Sequence, residues 1–304
     1  MARLVLLAVL PLLLLFVAGD SYATAAGGGG GGGGRRFDAS RAVDVSWRPR
    51  AFLYEGFLSD AECDHLISLA KQGKMEKSTV VDGESGESVT SKVRTSSGMF
   101  LDKKQDEVVA RIEERIAAWT MLPTENGESM QMLRYGQGEK YEPHFDYIRG
   151  RQASARGGHR IATVLMYLSN VKMGGETVFP DAEARLSQPK DETWSDCAEQ
   201  GFAVKPTKGS AVLFFSLYPN ATFDPGSLHG SCPVIQGEKW SATKWIHVRS
   251  YDENGRRSSD KCEDEHALCS SWAAAGECAK NPGYMVGTSE SPGFCRKSCN
   301  VCTS

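Results

Sequence analysis

The sequence has almost no excess of charge of either sign: 35 Lys and Arg face 38 Asp and Glu, a formal net charge of -3 in 304 residues. A chain held on nucleic acid by bulk electrostatics needs a basic surplus, so no nucleic-acid partner is expected. A bilayer-length apolar run is also missing. The long N-terminal stretch, Leu4 to Ala18, has 15 residues and carries Pro11 in its middle, against about 20 residues for a spanning helix. There is no internal repeat. A dinucleotide-binding glycine loop is lacking too: the eight glycines Gly27 to Gly34 have no interspersed positions, and Gly136-Gln137-Gly138 has no third glycine. Cysteine is scarce over most of the chain, with only Cys63, Cys197 and Cys232 ahead of Cys262. Wholesale disorder is excluded by 40% hydrophobic and 24% charged residues.

What is present divides the chain. Arg3, the apolar stretch and the small-x-small Ala23-Thr24-Ala25 make residues 1–26 a signal peptide or signal anchor. Either form sends the rest into the endoplasmic reticulum lumen and secretory pathway. The protein is then soluble after cleavage, or a single-pass type II membrane protein attached through its N-terminus. The glycine run makes 27–46 a flexible tether, since glycine cannot recover its backbone entropy by burying a side chain.

Residues 47–251 read as one mixed domain, α+β in class. Ser59-Asp60-Ala61-Glu62 is a capping box that opens a helix to about Gly73. A second helix is predicted from near Asp102, with Val109, Ile112, Ile116 and Trp119 forming one apolar stripe that stops before Pro123. Beyond residue 129 the period shortens to many β-rich runs separated by Gly, Pro, Asn and Asp, the signature of a sandwich, jelly roll or barrel. Residues 252–261 are a polar linker, and 262–302 hold the other six cysteines.

Oxygen-activating iron sites use two His and one carboxylate on one face of the metal. In KYEPHFDYI, His144 and Asp146 stand two apart and share a strand face, with Phe145 on the other. His229, 85 residues on, offers a third ligand from a late strand returning beside an early one. Ten residues further, across a turn at Gln236-Gly237-Glu238, Lys239 presents an ammonium suited to the far carboxylate of a dicarboxylic co-substrate. His65 and His159 have no ligand spacing to a partner.

The combination RYGQGEKYEPHFDY, RIATVLMYLSNVKMGGETVFP, KGSAVLFF and SLHGSCPVIQGEKWSATKWIHV closely resembles plant-type prolyl 4-hydroxylases, which are Fe(II)- and 2-oxoglutarate-dependent dioxygenases. The resemblance covers about two-thirds of the chain. It implies a double-stranded β-helix, or jelly roll, flanked by N-terminal helices. It implies Fe(II) on His144, Asp146 and His229, with 2-oxoglutarate held by Lys239 and Tyr135 and lined by Thr177 and Trp245. It places Arg94, Glu128, Tyr141 and Arg160 in a peptide groove and His247 on the substrate side. The implied reaction couples 4-hydroxylation of proline in proline-rich secretory proteins to decarboxylation of 2-oxoglutarate to succinate and CO2. O2 is consumed, and L-ascorbate rescues iron oxidised without substrate. Tyr135, Tyr141, Tyr147 and Trp245 offer aromatic faces to a left-handed extended strand. A lysyl or other peptidyl side-chain hydroxylase of the same fold, and a non-catalytic lumenal peptide-binding protein, are the competing readings.

Six cysteines in a 41-residue lumenal tail indicate a disulfide framework, because so short a unit cannot bury enough core. Zinc is the rival, but Cys299 and Cys302 form a C-x-x-C without a second such pair. Spacing alone leaves 15 pairings open. The order C-x6-C…W…GEC-A-x-N-P-x-Y-M…CRKSC-x-x-C resembles the ShKT domain. That resemblance implies Cys262–Cys302, Cys269–Cys295 and Cys278–Cys299, and leaves the partner of the module unnamed. Of the other cysteines, Cys197 and Cys232 are expected to pair near the His229 loop and Cys63 to be a small buried apolar residue. Asn220-Ala221-Thr222 is a glycosylation sequon on an expected surface loop.

Overall fold

The computed structural model describes residues 36–81, 88–90, 92–147, 157–183, 188–251, 264, 266, 268–287 and 293–301. The leader, the glycine run, the 252–261 linker, and Cys262 and Cys302 with the bond expected between them lie outside the described residues.

Strands β1 (Ala42–Trp47) and β2 (Arg50–Tyr54) form an antiparallel hairpin. Helix α1 (Asp60–Gln72) begins at the capping box: the Ser59 hydroxyl accepts the Glu62 amide, and the Glu62 carboxylate accepts the Ser59 amide at 2.8 Å. Two otherwise orphaned donors are satisfied, an arrangement whose loss costs about 1 kcal/mol. The helix buries Cys63, Leu66 and Ala70. Four short strands follow, β3 (Glu76–Lys77), β4 (Thr79–Val81), β5 (Ser88–Thr90) and β6 (Ser97–Leu101).

Helix α2 (Glu107–Thr120) starts later than the sequence predicts. Asp102 to Gln105 form a turn with Lys104 at a φ of 53°, and Asp106 is the true cap, accepting the Val109 amide at 2.8 Å. Its other carboxylate oxygen meets His65 Nε2 at 2.6 Å, so the second capping partner comes from α1, where local spacing cannot show it. The stripe Val109, Ile112, Ile116 and Trp119 is buried as expected, and the helix ends at Met121 in the left-handed region.

The remaining strands are β7 (Met130–Tyr135), β8 (Tyr141–His144), β9 (Arg160–Tyr167), β10 (Met173–Gly174) and β11 (Thr177–Phe179). They continue as β12 (Phe202–Val204), β13 (Ala211–Phe215), β14 (His229–Ser231), β15 (Val234–Gln236) and β16 (Lys239–His247). An eight-stranded sheet has the order β1-β2-β13-β9-β16-β7-β6-β3, and a four-stranded sheet the order β12-β11-β14-β8. β10 pairs with β15 and β4 with β5. From β7 onward the chain crosses repeatedly between the two main sheets: β7, β9, β13 and β16 in the larger, β8, β11, β12 and β14 in the smaller. With antiparallel pairing throughout the named strands, this winding is the jelly roll.

Alternation along the central strands creates a dry side and a site side. Trp240, Ala242 and Ile246 of β16 join Ala162, Val164 and Met166 of β9 and the helix residues Leu66 and Ile112 in the main core. Their neighbours Lys239, Ser241, Thr243, Trp245, Thr163 and Leu165 line a pocket that also draws residues from the smaller sheet. Polar residues in otherwise buried strands thus mark where the site lies. Two buried ion pairs tie the helices in: Arg115 with Glu62 at 2.7 Å, and Lys244 with Glu113 at 2.5 Å.

In the tail, three short helices, α3 (Cys269–Ala274), α4 (Glu277–Lys280) and α5 (Pro282–Met285), surround Cys269, Met285 and Cys295. The disulfides Cys269–Cys295 and Cys278–Cys299 are present.

Candidate metal centre and co-substrate pocket

His144 on β8 and His229 on β14 are direct cross-strand partners, so register alone brings the two imidazoles side by side. Asp146 completes the group: its Oδ1 lies 3.6 Å from His144 Nε2 and its Oδ2 lies 3.5 Å from His229 Nε2. One ligand atom from each falls within 4.8 Å of the others. β8 ends at His144, so the pleat of the strand does not carry Asp146 to the same face as the sequence reading assumed. The Thr163 hydroxyl does that, donating to Asp146 Oδ2 at 2.6 Å from β9 of the other sheet.

Both imidazoles are held in one orientation. His144 Nδ1 donates to the Glu142 carbonyl at 2.9 Å, and His229 Nδ1 donates to the Ser227 carbonyl at 3.0 Å. Because a carbonyl can only accept, each Nδ1 carries a hydrogen and each Nε2 is turned toward the carboxylate. Burial, reinforced by the neighbouring His229, pushes the His144 imidazolium well down and keeps the ring neutral. Burial alone would raise Asp146, but His229, His144, Arg160 and the Thr163 hydrogen bond outweigh it and hold the carboxylate below its usual range. A neutral His144 imidazole, the His229 Nε2 and one carboxylate converge on a point, a donor set that fits a divalent iron.

The other end of the pocket is cationic. Lys239, 1% exposed, is the direct partner of Tyr135 across β16 and β7, and its Nζ donates to Ser231 Oγ at 2.9 Å. The ammonium lies 5.3 Å from the Tyr135 ring centre and 5.6 Å from that of Tyr167. Burial pushes Lys239 down to about 7, with Glu176 partly opposing. Tyr167 donates to Thr177 Oγ1 at 2.8 Å, which fixes the threonine at the wall. Leu133, Leu165 and Phe214 supply the apolar remainder.

Arg94 and Tyr141 close one side. The Arg94 guanidinium lies 4.7 Å from the Tyr141 ring, which stacks on His144 at 3.6 Å. Arg94 also donates to Gln131 Oε1 and the Thr79 carbonyl. Glu128, Arg160 and His247 are not among the residues lining the pocket. They pair with one another behind Trp245: Arg160 and His247 both donate to Glu128, His247 at 2.7 Å, and the Arg160 guanidinium lies 3.9 Å from the Trp245 ring. His247 Nδ1 reaches the Gly158 carbonyl at 2.7 Å.

The structure therefore gathers His144, Asp146, His229, Lys239, Tyr135, Thr177, Trp245, Arg94 and Tyr141 around one pocket, and sets Glu128, Arg160 and His247 beside it. Thr163, Ser231 and Glu176 escaped the sequence reading. Each is an ordinary strand residue until the fold shows what it touches. A disulfide joins Cys197 to Cys232, one residue beyond β14, and Cys63 is buried and unbonded to sulfur.

Comparison with known proteins agrees with this chemistry. Residues 130–247 match the model of the 2OG-Fe(II) oxygenase superfamily, and 261–302 match an ShK domain-like model. A probable prolyl 4-hydroxylase 7 from Arabidopsis thaliana is 62% identical over 88% of this chain and 84% of its own length. Prolyl 4-hydroxylase 2 from the same plant is 58% identical over 86% of this chain and 88% of its own. Among solved structures, the viral collagen prolyl hydroxylase of Paramecium Bursaria Chlorella virus-1, in its 2OG complex, aligns with 64% of this chain and 94% of its own. The TM-score is 0.48 at 28% identity. With relatives so similar over nearly their whole length, and a site of matching chemistry, the chain belongs to the prolyl 4-hydroxylase family of 2OG-Fe(II) oxygenases.

Proposed function

We propose that this enzyme hydroxylates the 4-position of proline in proline-rich proteins of the secretory lumen, consuming 2-oxoglutarate and O2 and releasing succinate and CO2. One observation carries the reading: a His-Asp-His donor set and a buried lysine face each other across a single pocket. His144, Asp146 and His229 would hold Fe(II), which when bound with 2-oxoglutarate supplies oxidising power from O2, with ascorbate restoring iron oxidised in idle turnovers.

The protein's own work is placement and shielding. Lys239 fixes the far carboxylate of 2-oxoglutarate, aided by the Tyr135 hydroxyl, with Thr177 and Trp245 bounding the pocket. Leu133, Leu165 and Phe214 keep water from the reacting atoms. Tyr141 completes the peptide side, and Arg160, held by Glu128 beside His247, supports Trp245 from behind. The domain that carries this activity runs from β1 to residue 251, and so takes in Ala42 to Ser46, which the sequence assigns to the tether. The 262–302 module is an accessory unit, and residues 1–26 deliver the chain to the lumen as a cleaved signal or an anchor. Among the described residues no helix is long and apolar enough to cross a membrane.

The test is mass spectrometry of a proline-rich peptide after incubation with Fe(II), 2-oxoglutarate and ascorbate. A gain of one oxygen on proline is expected. A gain on lysine would make the enzyme a lysyl hydroxylase, and peptide binding without succinate production would make it a lumenal binding protein. His229→Ala is expected to abolish succinate production.

A further inference from the structure

We propose that Asn220 carries an N-linked glycan, set on the outer side of the aromatic stack that flanks the metal centre. Asn220-Ala221-Thr222 is the only Asn-x-Ser/Thr triplet in the chain. All three residues are exposed. They form a closed turn, in which the Ala221 amide donates to the Tyr218 carbonyl at 2.9 Å and the Tyr218 amide to the Thr222 carbonyl at 2.8 Å. Thr222 donates twice to Asn220 Oδ1, from its amide at 3.1 Å and its hydroxyl at 2.7 Å. This Asx-turn holds the amide oxygen against the chain and leaves Nδ2 on an exposed side chain with no protein partner among the described residues.

The segment that follows leads to the site. Phe223, 39% exposed, stacks on Tyr147 with centroids 4.3 Å apart, and Tyr147 stacks on Phe145 at 4.7 Å. Phe145 and Tyr147 flank Asp146 in sequence. Asp224 then caps the short turn Pro225–Ser227, and the Ser227 carbonyl orients His229. The sequon is thus the surface end of the segment that delivers His229, and Asn220 to Thr222 are absent from the pocket wall. A sugar on Nδ2 extends outward from that turn and leaves the pocket open.

The step is a substitution at the anomeric carbon of a lipid-diphosphate-linked oligosaccharide. Asn220 Nδ2 forms a bond to C1 and loses one proton. The C1–O bond breaks, and the lipid diphosphate leaves with the electron pair. This inference rests on the lumenal reading above, because that donor is used on the lumenal side.

The full chain would be translated with microsomes, treated with protease, and resolved before and after N-glycosidase. The expected result is a protected chain with one glycosidase-sensitive mobility shift, lost in Asn220→Gln and kept in Thr222→Ser. Succinate production on a short proline-rich peptide is expected to be unchanged in Asn220→Gln. It is equally expected to be unchanged in wild-type protein deglycosylated after folding, which covers the case that the variant folds poorly. A protected chain without a shift, or a shift that survives Asn220→Gln, overturns the glycan while leaving the lumenal reading intact. An unprotected chain overturns both. Loss of turnover in folded, deglycosylated protein overturns the placement outside the pocket.

Discussion

Thr163 touches the candidate metal centre without offering a ligand. Its hydroxyl aims the Asp146 carboxylate from across the sheets, so Thr163→Val keeps the shape and removes the aim. We expect iron affinity to fall about 10- to 100-fold, the usual effect of losing such an outer partner. Competition against a chelator would show it, and unchanged affinity would mean that β8 alone places Asp146. At the other end, Lys239→Ala is expected to raise the 2-oxoglutarate requirement while leaving iron binding nearly intact; lost iron would make the lysine structural. Lys239 also predicts a pH dependence. In the empty pocket its ammonium is lost near pH 7 because of burial, and a dicarboxylate favours the charged form again. Binding therefore takes up a proton above that pH. Affinity should be flat below it and fall about tenfold per unit above it. Calorimetry in buffers of different ionisation enthalpy, under anaerobic conditions, would detect the proton. No uptake at pH 8 would contradict the prediction. His144, His229 and Lys239, which the fold gathers at one pocket, are legible in the sequence because their spacing has a chemical reason. Thr163 and Ser231 were not, because one hydroxyl in a strand looks like any other until the opposite sheet is in place.

Among the elements, β16 is the most constrained. One face carries Lys239 and Trp245 into the pocket, and the other buries Lys244 against Glu113 of α2, both under 5% exposed. A buried pair of this kind adds little net stability, yet breaking it leaves an unpaired charge in the core. Lys244→Met is expected to cost about 3–5 kcal/mol in urea unfolding, and Lys244→Met with Glu113→Leu to recover most of it. If the single variant is as stable as wild type, Glu113 finds another partner. The contrast between the helices shows what local sequence carries. α1 was bounded correctly because Ser59 and Glu62 cap it from within. α2 begins later than its sequence suggests because Asp102 to Gln105 close a turn first, and Asp106, which also meets His65 of α1, is the cap. Strand runs were readable from composition, but their winding was not, since β7, β9, β13 and β16 share a sheet only through long-range pairing.

For the molecule as a whole, cysteine chemistry divides into two tasks. Cys269–Cys295 and Cys278–Cys299 hold a unit too small to bury a core, whereas Cys197–Cys232 braces β14 in a domain that already has one. Replacing Cys197 and Cys232 together by serine is expected to lower stability by about 2–4 kcal/mol and to weaken iron retention. Iron binding at wild-type strength in that variant would show that strand pairing alone suffices to hold His229. β14 has a further consequence. It begins at His229 and ends at Ser231, whose hydroxyl grips Lys239. The interval between the candidate metal end and the ammonium is thus set by two steps of extended backbone, at roughly 3.3 Å each. In the proposed binding mode that interval is expected to select for carbon-chain length. An oxo-diacid one carbon shorter would be chelated at one end and fall short at the other. One carbon longer, it would have to buckle against Leu133 and Leu165.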